Sequence, residues 1–175
     1  MCGTGIIDAV ALMVELGVVD ETGRLLDADE VDEELRPLVG DEDGGNVFYL
    51  TGDRTLYITQ TDVRNLQLAK GAIRAGIFTM LDAQGLRLED VCSVQIAGGF
   101  GEYLDLESAA RVGLFPRELL ECASSVGNTS IEGASALLLS RAAGAQAQRI
   151  ASTCTYLELS GNAFFNASYI EQMEF

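Results

Sequence analysis

The feature that most constrains the fold is a short apolar run that ends in a cluster of glycines. Residues 91–97 read VCSVQIA, which is typical of a buried β-strand, and Gly98-Gly99-Phe100-Gly101 follow at once. Segments with helical periodicity lie before and after this strand. Because helices that alternate with strands pack as layers, the sequence predicts an α/β fold.

The other predicted elements are helices and short strands joined by polar or glycine-rich turns. Helices are expected at 5–16, 59–81, 106–112, 116–121, 131–144, 145–153 and 166–173, and strands at 47–50, 55–58 and 155–159. The first two of these strands flank a Thr-Gly-Asp-Arg turn, which predicts a hairpin. The acidic stretch 20–46 favours a solvated loop with a short helix over a metal site, because its spacing is not that of a calcium loop.

Charge excludes several classes of function. The chain has 27 acidic and 11 basic residues, no histidine and a formal net charge of −16. Nucleic-acid binding needs a basic face, so no nucleic-acid partner is expected. Without histidine, Ser-His-Asp and Cys-His catalysis and histidine metal sites are excluded.

Cysteine usage and hydropathy indicate the cellular context. Cys2, Cys92, Cys122 and Cys154 stand singly, which argues against zinc or an iron–sulfur cluster within this chain. No apolar stretch is long enough to span a membrane, and no signal peptide is evident. We therefore expect a cytoplasmic protein with reduced thiols. The abrupt glycine-rich start and apolar end predict a piece of a longer protein.

The glycine loop is the first candidate binding site. Glycines directly after a buried strand allow a ligand to approach the backbone, and ligands of open α/β sheets bind beyond the carboxyl ends of strands. The sequence GGFG at 98–101 is neither a dinucleotide fingerprint nor a P-loop. A ligand loop and a simple tight turn are both consistent with it.

Lys70, the only lysine, is the second candidate. At about 100° per helical residue, it lies within the apolar stripe of the helix predicted at 59–81. A charged side chain there either extends to solvent along the edge of the stripe or meets an acceptor. Gln67 lies three residues earlier, so both side chains can face one ligand.

The segment VGNTSIEGASALL contains small residues that favour close helix–helix contact over direct ligand contact, and it could act as a hinge between lobes. No nucleophile lies in a pattern with a general base.

The chain resembles a known family through several motifs taken in order. They are CGTGIIDAV, ITQTDVRNLQLAKGAI, VQIAGGFGEYLDLESAARVGLFP, VGNTSIEGASALLLS and the final YLEL…YIEQMEF. Together they resemble the C-terminal part of the reductive activators of corrinoid-dependent proteins. The resemblance covers nearly the whole chain except the acidic stretch 27–46.

The resemblance implies fold and function. The family belongs to the ASKHA superfamily of actin-like ATPases, with an RNase H-like fold in which helices flank a mixed sheet, so residues 1–175 would be one C-terminal lobe. Complete members use ATP and Mg to return Co(II) corrinoid to Co(I), and carry a [2Fe–2S] ferredoxin domain. The implied partner is a corrinoid protein or corrinoid methyltransferase, and a homodimer is expected.

The resemblance also assigns site residues. Gly98 and Gly99, continuing into Phe100 and Gly101, match the adenosine loop of the superfamily. Gln67 and Lys70 match an acid and a lysine that touch adenosine in Hsp70-like members, with glutamine in place of the acid.

Both phosphate loops and the ferredoxin cysteines are missing from this sequence, so the chain alone is expected to be inactive. Two alternatives stay open. One is a non-catalytic interaction or dimerisation module with an acidic docking surface. The other is an activator of 2-hydroxyacyl-CoA dehydratases, which hold a [4Fe–4S] cluster between subunits.

Overall fold

A computed structural model describes residues 1–175 and shows six α-helices and five short strands. The helices are α1 (Gly3–Glu15), α2 (Gln60–Gln84), α3 (Leu106–Arg111), α4 (Thr129–Leu139), α5 (Arg141–Thr153) and α6 (Ala163–Glu171). The strands are β1 (Val39–Glu42), β2 (Gly45–Tyr49), β3 (Tyr57–Thr59), β4 (Val94–Ile96) and β5 (Ala123–Ser125). No helix is both long and apolar enough to cross a bilayer.

The strands form two small sheets. Strands β1, β2 and β3 make an antiparallel meander in which Phe48 pairs with Ile58. Strands β4 and β5 form a parallel pair. The predicted hairpin is confirmed as β2–β3, but β1 and β5 were missed. The strand expected at 91–97 is shorter and only half-buried.

Helix α2 is the longest element and organises the domain. It begins with a capping box, in which the Thr59 hydroxyl accepts a hydrogen bond from the Asp62 amide while the Asp62 carboxylate accepts from Thr59. It ends at Gly85, whose φ of 64° suits a left-handed C-cap. The sequence offers both Thr59 and Thr61 as a cap for this helix, and the structure uses Thr59.

The core lies between α1, the first half of α2, the antiparallel sheet and the segment 104–119. It is built from 20 buried hydrophobic residues, among them Val10, Met13, Phe48, Val63 and Phe115. Helix α6 packs along α2 on another side, where Gly71 lets the backbone of Gln172 come close.

Two predictions for the segment after residue 128 are wrong. The helix expected at 131–144 is broken at Ser140, whose φ of −142° is extended and whose hydroxyl caps α5 instead. Residues 155–159, expected as a strand, belong to no strand or helix. Neither α4 nor α5 contains a buried residue.

Candidate functional site

Two glycine-containing loops meet at the carboxyl ends of the parallel strands. One loop, 97–101, follows β4, and the other, 126–128, follows β5. Backbone hydrogen bonds join them, because the Gly98 amide donates to the Gly127 carbonyl at 2.9 Å and the Val126 amide donates to the Ile96 carbonyl at 3.0 Å. The sequence thus places two linked turns where α/β proteins bind ligands.

The loop 97–101 needs glycine for two different reasons. Gly98 has a φ of +100°, which L-residues rarely adopt. Gly101 is packed so closely that an added Cβ would lie 2.8 Å from Ile96 Cγ2. The Ser125 hydroxyl donates to the Gly101 carbonyl at 2.8 Å and so holds the loop against β5. Gly99, by contrast, is exposed and has an open backbone face.

Phe100 projects from this loop over the start of α1. Its ring lies so near Gly3 that a Cβ there would be 2.9 Å from Phe100 Cε2. Half of Phe100 remains exposed. The ring is therefore held on one side and free on the other.

A cavity of about 290 Å³ lies between Phe100, α1 and α2. Its walls are mostly apolar, with Ile6 and Ile7 from α1 and Leu66, Ala69 and Ile73 from α2. The polar side chains that reach it are Asp62 and Asn65, both from the first turns of α2. An apolar slot with a few polar groups at one edge is the usual character of a small-molecule site.

Lys70 lies at the edge of the cavity-lining face of α2, about 40° from Leu66 at 100° per residue, and is completely buried. Its ammonium group donates to the backbone carbonyl of Glu174. The Nζ atom also lies 5.0 Å from the centroid of the Phe175 ring, within the range of a cation–π contact. The only lysine thus binds the last residues of the chain.

Gln67 holds the same segment and is also buried. Its amide nitrogen donates to the carbonyls of Thr22 and Met173, each at 3.0 Å, and its oxygen accepts from Arg64 Nη1 at 2.7 Å. The Phe175 amide adds a bond to the Glu21 carbonyl at 3.0 Å. We call residues 173–175 the C-terminal segment.

The charge on Lys70 is poorly compensated. Burial, followed by the positive charge of Arg74, lowers the pKa of Lys70 to about 8, and Glu174 opposes this only in part. The ion pairs of the structure involve Arg24, Arg87 and Arg111, not Lys70. Arg74 Nε is buried without a hydrogen-bond partner, and burial lowers the pKa of its guanidinium group.

The predicted site residues therefore fall into two groups. Gly98, Gly99, Phe100 and Gly101 form the loop beside the cavity, whereas Gln67 and Lys70 meet the C-terminal segment. At about 100° per residue, the lining residues of α2 (62, 65, 66, 69 and 73) cover an arc of about 100°. Lys70 lies about 40° beyond Leu66 at one edge of this arc, and Gln67 lies about 100° beyond it. Whether any of these residues contacts nucleotide stays a prediction.

Sequence reasoning missed two contributors to this region. Asn65 gave no signal, because an isolated polar residue on a helix is ordinary. The C-terminal segment did leave a signal, since the apolar side chains of Met173 and Phe175 favour packing against other residues. No feature of the neighbouring sequence, however, indicated that this segment packs against Lys70.

The thiols do not form a metal centre. All four are free, and Cys2, Cys92 and Cys154 are exposed. No three histidine, cysteine, aspartate or glutamate residues are arranged to hold a metal ion. A [2Fe–2S] cluster requires several thiolates at one place, so the residues of this chain do not fit one.

Comparisons with known proteins identify relatives. Two curated proteins are each 31% identical to the chain. The corrinoid activation enzyme RamQ of Eubacterium limosum aligns with 97% of this chain and 30% of its own length. The [Co(II) methylated amine-specific corrinoid protein] reductase of Methanosarcina barkeri aligns with 67% of this chain and 22% of its own length.

A solved structure, titled reductive activator for corrinoid,iron-sulfur protein, superposes on this chain with a TM-score of 0.87. The two sequences are 37% identical, and the match covers 99% of this chain and 28% of that protein. The chain spans less than a third of each of these proteins. The similarity confirms the predicted ASKHA fold.

A family model described as the C-terminal domain of RACo, the ASKHA domain, matches residues 1–175. This match covers the whole chain and agrees with the fold and with the relatives. The chain therefore belongs to the family of RACo C-terminal ASKHA domains.

Proposed function

We propose that the chain is the C-terminal lobe of an ATP-dependent reductive activator that returns a Co(II) corrinoid protein to Co(I). The relatives support the corrinoid substrate, because both curated proteins carry corrinoid names. The same names favour this function over the activation of 2-hydroxyacyl-CoA dehydratases. A cytoplasmic location and a homodimer remain part of the proposal.

The observation that carries the nucleotide role is the pair of linked loops at the carboxyl ends of β4 and β5. Gly99 is exposed there, and its amide donates no backbone hydrogen bond within the chain, so it is available to a ligand. A crevice at this edge is where open α/β sheets hold ligands. The lobe would supply the nucleoside side of an ATP site whose phosphate loops lie elsewhere in the full-length protein.

Gln67 and Lys70 have a conditional role in this proposal. Lys70 Nζ and Gln67 Nε2 donate to the C-terminal segment, so these two nitrogens could reach a nucleotide only after residues 173–175 had moved. The electron donor lies outside this chain, which has no thiol cluster. What the loops after β4 and β5 would contribute is binding and orientation of the nucleotide.

The acidic surface supports a protein partner. A net charge of −16 attracts a partner with a basic face, and this attraction weakens as the salt concentration rises. Association with the corrinoid protein should slow as ionic strength rises.

The proposal is tested by following the conversion of Co(II) to Co(I) by absorbance with the full-length protein, with and without ATP. An added Cβ at Gly99 would lie 3.6 Å from Asn128 Nδ2, an ordinary contact, so Gly99→Val should fold while obstructing the loop. We expect it to weaken ATP binding and slow reduction. Gly52→Val, where nothing lies within 4 Å, is the control. Reduction that proceeds equally without ATP would refute the proposal.

A further inference from the structure

We propose that the exposed apolar surface of α4 and α5 is an internal interface, which another part of the same polypeptide covers in the full-length protein. We call it the α4–α5 surface and define it by the exposed side chains of Ile131, Leu137, Leu138, Leu139 and Ile150. The inference rests on the part of the proposed function that makes this chain one lobe of a longer protein, and it names what packs against that lobe.

The α4–α5 surface is unusually apolar for a surface in water. Neither helix contains a buried residue, and the two helices pack mainly on each other. Leu138 and Leu139 are 87% and 88% exposed, and the other members of the surface are each at least half exposed. Single exposed apolar side chains are ordinary, whereas contiguous groups of them mark interaction sites.

The distribution of charge indicates what kind of partner this surface fits. Between residues 122 and 157 the only acidic residue is Glu132, and the only basic ones are Arg141 and Arg149. The acidic residues that give the chain its large negative charge therefore lie elsewhere, and the α4–α5 surface does not attract a basic partner. An apolar surface with few charges is typical of permanent interfaces. It fits a permanently attached partner better than a corrinoid protein that associates and leaves.

The neighbouring sheet is also incomplete. Strands β4 and β5 have three residues each, pair only with each other and contain no buried residue. Parallel strands occur almost only in sheets that other elements cover on both faces, and two strands alone are marginally stable. Helix α4 begins four residues after β5 ends. The strand pair and the α4–α5 surface therefore lack packing partners in the same part of the domain.

The length of the relatives identifies the partner. The chain spans less than a third of each of them, so most of a full-length protein lies outside it. The solved relative superposes over 99% of this chain, so the arrangement that contains α4 and α5 also occurs within a longer protein. The remainder of that polypeptide is attached permanently, and it would cover the leucines of α4 with apolar side chains of its own.

The test measures the accessibility of single cysteines in the full-length protein. Leu138→Cys and Ile150→Cys are made separately and treated with a maleimide, and mass spectrometry follows the peptide that carries the new thiol. Gln148→Cys is the matched control, because Gln148 is exposed and lies about 200° around α5 from Ile150. We expect the thiols at 138 and 150 to react at least about tenfold more slowly than the control, because they become accessible only when the interface opens.

The outcomes separate the possible partners. Slow labelling that does not depend on protein concentration would support the inference. Labelling as fast as in the control would overturn it. Labelling that is slow but accelerates on dilution would overturn it in favour of a second copy of the protein. Labelling that is fast until a corrinoid protein is added would overturn it in favour of that partner.

The same measurement is independent of catalysis, since neither ATP nor cobalt is present. Slow labelling in a protein that does not reduce Co(II) would leave the interface standing and refute the proposed function. Fast labelling in a protein that reduces Co(II) with ATP would do the reverse. If Leu138→Cys does not fold, Ile150→Cys on the other helix gives the same comparison with Gln148→Cys.

Discussion

Burial of Lys70 should make the stability of the protein depend on pH in the alkaline range. The ordinary pKa of a lysine is 10.5, and burial beside Arg74 lowers that of Lys70 to about 8. Between these values the unfolded chain binds a proton that the folded chain has released, so folding becomes more favourable as pH rises. Below pH 8 the folded state bears the full cost of the buried ammonium group.

The magnitude follows from the two pKa values. Their difference, at about 1.36 kcal/mol per pH unit, corresponds to about 3 kcal/mol when the whole range is crossed. Between pH 7.5 and pH 10 about 2 kcal/mol of this should appear. The gain in stability that comes from releasing this proton is complete only above pH 10.5 and is lost as pH falls through about 8.

The assay is urea unfolding of the parent chain and of Lys70→Met at several pH values. Methionine is similar in length but carries no charge, so other groups that titrate in this range cancel in the difference between the two proteins. The free energy of unfolding of the parent, minus that of the variant, should rise by about 2 kcal/mol from pH 7.5 to pH 10. A difference that stays flat would refute the reasoning, because it would mean that the ammonium group is not desolvated.

Three further predictions concern the support of the same region. Gly113→Ala should destabilise the fold by about 2 kcal/mol in thermal unfolding. Gly113 has a φ of +76°, and the new Cβ would lie 2.9 Å from Arg74 Nη1. A variant as stable as the parent would contradict this packing. Thr59→Ala should cost about 1 kcal/mol by removing the cap of α2, whereas Thr61→Ala should not. The hydrogen bond from Arg24 lowers the pKa of Glu30 to about 2, so this carboxylate should stay ionised, and its stabilising effect persist, until pH falls through that value. In Arg24→Ala, NMR should show a raised pKa that still lies below 4.5, because the Asp27 amide continues to donate to the carboxylate.

Local signals were sufficient where one short segment determines the structure. Thr59 and Asp62 lie three residues apart and form the capping box that begins α2. The glycines after β4 form the expected tight loop. These features depend only on residues that are close in sequence, so they can be predicted from the sequence alone.

Local signals failed where pairing partners decide the structure. Strand β1 reads VGDE, which has no apolar alternation, and it forms because the two-residue turn Asp43-Gly44 folds it onto β2. Asp-Gly is a hairpin signal, but one flanking strand was too polar to be recognised. The reverse error occurred at 155–159, where Leu157 and Leu159 alternate with Tyr156 and Glu158 as in a strand, but the segment pairs with neither sheet.

The site shows the same distinction on a single helix. Spacing correctly grouped Gln67 with Lys70, but spacing cannot identify what lies opposite a helical face. The C-terminal segment that meets them is more than 100 residues away in sequence, and the cavity faces Asn65 instead. The contact with residues 173–175 therefore makes its own prediction, because Lys70→Met should change the pH dependence of stability. If Lys70→Met left that dependence unchanged, the ammonium group would have to lie in solvent instead of against the Glu174 carbonyl.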